Sequence, residues 1–369
     1  MKIALIYLGS KGAGPVYSWQ MANQLCKNGC CIKCIVSCQV ENLGKWKELD
    51  RCYDNFSLEL VYTYNTKLEF LYSLFNWKLF RQLVKVVTEC KPDILYVPFP
   101  FLWEYFIVPF VSDKIVKVRT LHDVIAHSGR YQFFFQLKSN LAYNFYNKFV
   151  VLSQCFIPFV LRKGVLQKDI VHIPHANFSY YANEQKWRNV NASPSKIIGF
   201  FGTISQYKGI DLLLLSFQKI IEKYPDYKLL IAGKGELRPY FPFINEMKDN
   251  VILYNRWIEE DEVASLIQSV DFLVLPYKDA SQSGVIPLAN SFAKPVVATN
   301  VGALQEQVME DTGILVEPNI NEIVSAMELL ISDYSLLREK GNNAERLSKE
   351  LSWEKSSELL LNAFRLWLH

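Results

Sequence analysis

Histidine is scarce in this sequence: there are five in 369 residues, one of them the terminal His369. Any imidazole chemistry therefore falls to two segments, TLHDVIAHSG with His122 and His127, and VHIPHANF with His172 and His175. Cysteine is missing from the second half altogether, and five of the eight crowd into Cys26, Cys30, Cys31, Cys34 and Cys38. Cys31-x-x-Cys34 has the local spacing of half a zinc site, but no second Cys pair or nearby His completes four ligands. The run from Cys30 to Cys38 after the Asn28-Gly29 turn reads as a strand in which thiols act as small hydrophobes, so no metal is expected there. Low-complexity tracts and solenoid-length repeats are absent, which excludes fibrous and array architectures.

Long hydrophobic runs are lacking too. The best candidate, Ile94 to Val111, is interrupted by Pro98, Pro100 and Pro109 and carries Glu104, so it does not read as a membrane span. The apolar run Ile3 to Leu8 is too short for a signal sequence and lacks a cleavage pattern; it reads as a first strand, and a cytoplasmic protein is expected. Charge is balanced overall at +3 but not along the chain. Residues 1–183 carry 21 Lys and Arg against 12 Asp and Glu, a net +9, leaving 19 against 25, or −6, for the remainder. A basic first half rich in Tyr, Phe and Trp suits an anionic membrane surface or an anionic acceptor, and equally an ordinary solvated face.

What is present is globular: half the residues are hydrophobic and about a fifth charged, in a chain long enough for two domains. Short apolar runs alternate with helical spacing at Lys2–Leu8, Cys31–Cys38, Leu58–Tyr64, Ile94–Val97, Lys117–Leu121 and Phe149–Ser153. They recur at Ile197–Phe201, Leu229–Ala232, Val251–Tyr254, Phe272–Pro276, Pro295–Thr299 and Gly313–Glu317. Alternation of this kind predicts α/β architecture with parallel, doubly wound sheets. The polar stretch from Asn177 to Lys196 reads as a linker, giving domains over 1–180 and 195–352. A closing helix over 353–369, with Ser352 as its cap, is expected to pack back on the first domain.

Three loops leave strand ends and enter helices: Gly9 to Pro15, Gly202 to Gly209, and Ala280 to Gly284 within DFLVLPYKDASQSGVIPLANSFAKPVVATNVGAL (271–304). Such a junction offers unpaired N–H groups and a positive dipole end to an anion. Lys208 precedes a helix whose buried face is expected to be Ile210, Leu213, Leu214, Phe217, Ile220 and Ile221. His122, with Asp123 beside it, follows a strand at the end where α/β sheets bind ligands.

In their order and spacing, FFGTISQYKGIDLLLLSF, LLIAGKGE, IEEDEVASLIQSVDFLVLPY, SQSGVIPLANSFAKPVVATNVGAL with Glu306, TGILVEP and the closing SWE resemble retaining GT-B glycosyltransferases of the "glycosyl transferases group 1" type. The likeness is strong over about 195–355 and weak before it. It implies two Rossmann-like doubly wound domains facing a central cleft, with the nucleotide-sugar donor on the second and a glycan or polyprenyl-linked acceptor on the first. It also implies bacterial surface polysaccharide synthesis, peripheral contact with the inner membrane surface, and neither cofactor nor nucleic acid. Carried onto this sequence, it makes His122 and Lys208 catalytic. The donor would be held by Gly12, Gly14, Gly202, Thr203, Lys208, Gly233, Gly235, Trp257, Ile258, Gln282, Ser283, Gly284 and Val285, with Asp123, His127, His175 and Glu306 as further contacts.

Two departures stand out. The usual Arg partner of the lysine is Thr203, and the two usual glutamates fall, counted from Pro295, on Ala280 and Leu288; a branch with Gln-Ser-Gly in this turn, here Gln282-Ser283-Gly284, is the nearer likeness. No Asp-x-Asp clamp occurs where a donor would need one, so leaving-group charge is expected to fall on Lys208, the N–H groups around Gly12 to Gly14, and the helix start near Ser283. A nucleotide-sugar epimerase on the same fold would want paired carboxylates in the cleft, which are not found. A non-catalytic nucleotide-sugar-binding subunit would bind without turnover.

Overall fold

The computed structural model describes residues 1–64, 66–124, 140–178, 181 and 194–369; His127 and most of the expected linker lie outside them. Seven strands, β1 (Lys2–Tyr7), β2 (Cys31–Ser37), β3 (Phe56–Val61), β4 (Ile94–Val97), β5 (Val116–Leu121), β6 (Lys148–Val151) and β7 (Ile170–His172), form one sheet in the order β3-β2-β1-β4-β5-β6-β7. Six more, β8 (Ile197–Phe201), β9 (Lys228–Ala232), β10 (Val251–Tyr254), β11 (Phe272–Leu275), β12 (Val296–Thr299) and β13 (Gly313–Val316), form a second in the order β10-β9-β8-β11-β12-β13. Every pairing in both sheets is parallel. Central strands such as Ile94–Val97, Phe272–Leu275 and Val296–Thr299 are buried at every position. That is the physical reason they read as unbroken apolar runs: helices cover both faces of a parallel sheet.

Both sheets reverse direction at one place, between β1 and β4 in the first and between β8 and β11 in the second. Loops leaving the carboxyl ends of these strand pairs diverge to opposite faces and open a crevice. Among the described residues, one compact unit takes Met1–Val124, 140–174 and Trp353–His369, and the other His175–Ser352. The helix Trp353–Leu368 joins the first unit through Trp353 against Tyr17, Phe364 against Tyr96, and Ser357 accepting from Asn28 Nδ2 at 3.1 Å. The change of unit comes at Pro174–His175 rather than at residue 180, because Asn177 N–H donates to the Leu351 carbonyl and Phe178 N–H to Ser291 Oγ.

Two elements differ from the sequence reading. His172 lies on β7, a three-residue edge strand too short to show a period of two. At the opposite edge β3 starts two residues earlier than expected and stops at Val61. In the helix Ile210–Lys223 the expected face is buried except for Ile221, which is half-buried. The cysteine run is strand β2, with Cys34 buried and Cys31 exposed on opposite faces. Among the described residues no three His, Cys, Asp or Glu side chains gather so as to hold a metal, and no helix is long and apolar enough to cross a membrane.

Candidate active site

The second unit builds its site where its sheet reverses. Gly209 has φ +69 and sits so close to β11's exit that a Cβ there would come 1.8 Å from the Pro276 carbonyl oxygen, so only glycine lets the loop after β8 lie against it. Gly233, with φ +150, makes the same allowance toward the Gly202 carbonyl. There the loops after β8 and β9 are zipped by Gly202 N–H to the Ala232 carbonyl and Ile204 N–H to the Lys234 carbonyl. These approaches place Lys208, at the end of the short 3-10 turn Gln206–Lys208, beside Tyr277 at the end of β11. The Lys208 ammonium lies 3.6 Å from the centre of the Tyr277 ring. Among the described residues no carboxylate pairs with it.

Tyr277 continues the array. Its hydroxyl is 3.3 Å from Ser283 Oγ, and the Gln307 carboxamide grips the Ser283 backbone from both sides. Gln307 Oε1 accepts from Ser283 N–H at 2.7 Å, and its Nε2 donates to the Ser283 carbonyl at 3.1 Å. The helix that follows, Val285–Ser291, opens with Gly284 as its cap, and Val285 N–H is turned onto Ser283 Oγ at 3.3 Å. The N–H groups of Ser283 and Val285 and the Ser283 hydroxyl are thus engaged within the protein, which leaves the Lys208 ammonium as the polar group best placed for an anion, with the Ser283 hydroxyl behind it. Neither Tyr277 nor Gln307 was singled out from sequence. Tyr277 carried a signal, the first polar side chain past a buried strand at a sheet reversal; Gln307, 24 residues from its partner, carried none.

Gln282 shares this turn. Its side-chain oxygen is enclosed and has no hydrogen-bond partner among the described residues, although buried carbonyl oxygens are nearly always satisfied. The neighbouring His175 is buried, with Nε2 3.8 Å from where a Cβ on Gly284 would stand. Burial lowers its pKa, opposed by Nδ1 donating to the Ala176 carbonyl, so the imidazole is neutral at neutral pH. Glu306 sits on the short helix Leu304–Gln307 next to the clamping glutamine. Ala280 and Leu288, where the resemblance places glutamates, are buried apolar walls. Thr203 is exposed, and Trp257 with buried Ile258 stands on the loop after β10, two strands from β8; Arg256 braces that loop with a two-pronged bond to Glu262. Gly235 lets its backbone approach the Ile204 carbonyl.

A specific outcome follows for Gln282. The Gln282→Ala variant is expected to weaken a nucleotide sugar much more than the free nucleoside diphosphate, because only the former presents sugar hydroxyls to the unpartnered oxygen. Calorimetric titration of both ligands checks this; equal weakening of the two, or of neither, contradicts a sugar-reading role.

In the first unit, His122 directly follows β5 and is buried. Its Nε2 is 2.9 Å from the Pro98 carbonyl, so the proton it donates there sits on Nε2, and its ring packs edge-on to Tyr17 and against Phe99. Asp123 is exposed beside it. Together they line one wall of a cavity that also meets Phe101, Leu102, Glu104 and Arg119. The glycine loop differs from its expected role. Gly12, with φ +95, caps the helix Ala13–Lys27, but its N–H is donated to Glu41 Oε1 at 3.1 Å. The protein's own carboxylate thus occupies the position expected for a phosphate, while Gly14 accommodates the Tyr7 hydroxyl.

Residues 195–333 match the model of the Glycosyl transferases group 1 family. The chain is 28% identical over 177 residues to an uncharacterized glycosyltransferase of Methanocaldococcus jannaschii, covering 46% of this chain and 45% of that one. It is 29% identical over 180 residues to the capsular polysaccharide biosynthesis glycosyltransferase CapM of Staphylococcus aureus, covering 46% of each. The chain thus spans about half the length of these curated relatives. In structure it is similar to Anabaena HepE, solved with UDP-glucose, at a TM-score of 0.73 and 17% identity over 99% of both chains. The architecture, two Rossmann-like domains with parallel sheets, is the GT-B fold.

Proposed function

We propose that this protein is a retaining glycosyltransferase that binds a nucleotide-sugar donor on its second unit and an acceptor glycan, free or carried on a polyprenyl lipid, on its first. The observation that carries the reading is the array Lys208, Tyr277, Ser283 and Gln282 at the reversal of the second sheet, inside the family-matched segment. In this reading the Lys208 ammonium and Ser283 hydroxyl meet the diphosphate, and Gln282 and His175 meet the transferred sugar. As the bond from the anomeric carbon to the β-phosphate breaks, the new bond to the acceptor oxygen forms on the same face. The acceptor proton leaves with the diphosphate. His122 supports the oxocarbenium-like transition state. The part that CapM takes in capsular polysaccharide biosynthesis supports assigning the product to a bacterial surface polysaccharide. The test is a thermal-shift screen of nucleotide sugars, since a ligand that binds only the folded state raises stability by mass action. A donor that shifts the transition supports the reading, and a flat panel contradicts it.

Charge stabilisation by Lys208 and a hydroxyl needs no divalent ion. Transfer is expected to continue in excess chelator; loss of turnover restored by magnesium or manganese contradicts this mode of stabilisation.

The reading extends to a membrane-borne acceptor. On the first unit, Leu68, Leu71, Tyr72, Phe75 and Trp77 are all more than half exposed, and the exposed cations Lys78, Arg81 and Lys85 follow on the helix Trp77–Glu89. Large exposed apolar side chains beside lysine and arginine fit the surface of an anionic bilayer. Co-sedimentation is expected with vesicles of phosphatidylglycerol and to fall sharply in a Tyr72→Glu, Phe75→Glu variant; unchanged sedimentation contradicts the contact.

A further inference from the structure

Beside His122 in the first unit is a cavity of about 200 Å³, whose wall includes Phe101, Leu102, Tyr105, Glu104, Arg119 and Asp123. At about 30 Å³ per water, that is the space of six or seven waters, enough for one small ring. Its apolar side is aromatic and aliphatic. Its polar side is an ion pair out of water: Arg119 is 6% exposed and Glu104 1%. Arg119 NH2 donates to Glu104 Oε1 at 2.7 Å, and Tyr146 donates to Glu104 Oε2 at 2.6 Å. Burial raises the Glu104 pKa, and Arg119 first and then the Tyr146 hydroxyl draw it back.

The pair is incomplete on the arginine side. Among the described residues Arg119 Nε is buried without a hydrogen-bond partner, and the hydrogen bonds of the guanidinium are confined to Nη2. A guanidinium carries five N–H donors in a fixed fork, and an unmet buried donor is a costly feature unless a ligand meets it. Charge decides what kind of ligand. Glu104 already balances Arg119, so a phosphate or carboxylate would meet no net positive charge from this pair. An uncharged ring with an apolar face for Phe101 and Tyr105 and hydroxyl oxygens for the guanidinium meets every wall.

We propose that this cavity seats an uncharged sugar residue at the acceptor's reactive end, with Arg119 donating to its oxygens. This rests on the glycosyltransferase reading and deepens it. The protein then extends a glycan instead of loading a first sugar onto a lipid phosphate, and a prior glycosyl transfer must supply its acceptor.

The test is saturation-transfer NMR of the full chain with a panel of uncharged methyl hexosides and methyl N-acetylhexosaminides, run beside inorganic phosphate titrated against the same signals. At least one glycoside is expected to receive saturation from wild type, to lose at least fivefold in Arg119→Lys, and to resist displacement by phosphate. Because Arg119 substitution can unfold the buried pair, Leu102→Trp, which fills the cavity and leaves the pair intact, is measured as well and is expected to lose the signal. Saturation of no glycoside, or equal saturation in wild type and Leu102→Trp, overturns the inference, as does displacement of the glycoside by phosphate. Nucleoside diphosphate release from the donor alone, followed in the same wild-type sample, separates this failure from that of the underlying reading. Release with no glycoside bound sinks only the cavity assignment.

Discussion

The His122→Ala variant is expected to turn over at least about a hundredfold more slowly than wild type while binding nucleoside diphosphate with nearly unchanged affinity. A positioned group that acts on the reacting centre contributes on that scale, whereas a group that only fills space shows its loss in stability. The structure supplies the reason to expect positioning. β5 delivers His122 to the carboxyl end of the first sheet, the Pro98 carbonyl from the end of β4 fixes the ring's Nε2 proton, and Tyr17 and Phe99 hold the ring's plane. Truncation also leaves a hole between Tyr17 and Phe99, and large-to-small changes in such sites cost about 2 to 5 kcal/mol. Turnover is therefore compared at a temperature where both proteins are fully folded, with His122→Gln as a bulkier control. Near wild-type turnover in folded His122→Ala removes the residue from the chemistry.

Lys208→Ala is expected to cost about 2 to 3 kcal/mol in nucleoside diphosphate binding, the scale of a charged hydrogen bond lost from a partly desolvated site. Two cations commonly share a diphosphate in the resembling family, and here Thr203 stands in the second place, so the load falls on one ammonium. That ammonium rests on the Tyr277 face, a contact worth about 0.5 to 2 kcal/mol. The measured loss is therefore a difference between phosphate contact and ring contact, which is why it is expected to stay below the full strength of a buried ion pair. Thr203→Arg is expected to strengthen binding, since Thr203 is exposed and a long side chain there meets solvent. Equal diphosphate affinity in wild type and Lys208→Ala contradicts the assignment.

Much of this was legible in the sequence, for reasons that are physical. Buried parallel strands such as Ile94–Val97, Phe272–Leu275 and Val296–Thr299 announce themselves because both faces are covered and glycine or polar loops bound them. Strand ends then point to candidate ligand loops, and Lys208, Gln282 and His122 stand on three of them. What could not be read was set by contacts between distant positions. Gln307 clamps Ser283, Glu41 takes the Gly12 N–H, and Glu104 pairs with Arg119 from 15 residues away. Arg119 alternates with apolar neighbours on β5, a pattern that points to solvent instead of an internal ion pair. The edge strand β7 escaped because three residues cannot display a period.

The central claim is that the array around Lys208 holds a nucleotide sugar for transfer. The most direct measurement is release of nucleoside diphosphate from whichever nucleotide sugar stabilises the wild-type protein in the thermal-shift screen, followed with and without an added glycan acceptor. Release is expected to be slow alone, accelerated by acceptor and reduced at least about tenfold in Lys208→Ala. A stabilising nucleotide sugar that stays intact under every acceptor tested would show a protein that binds donors without transferring them, and would contradict it.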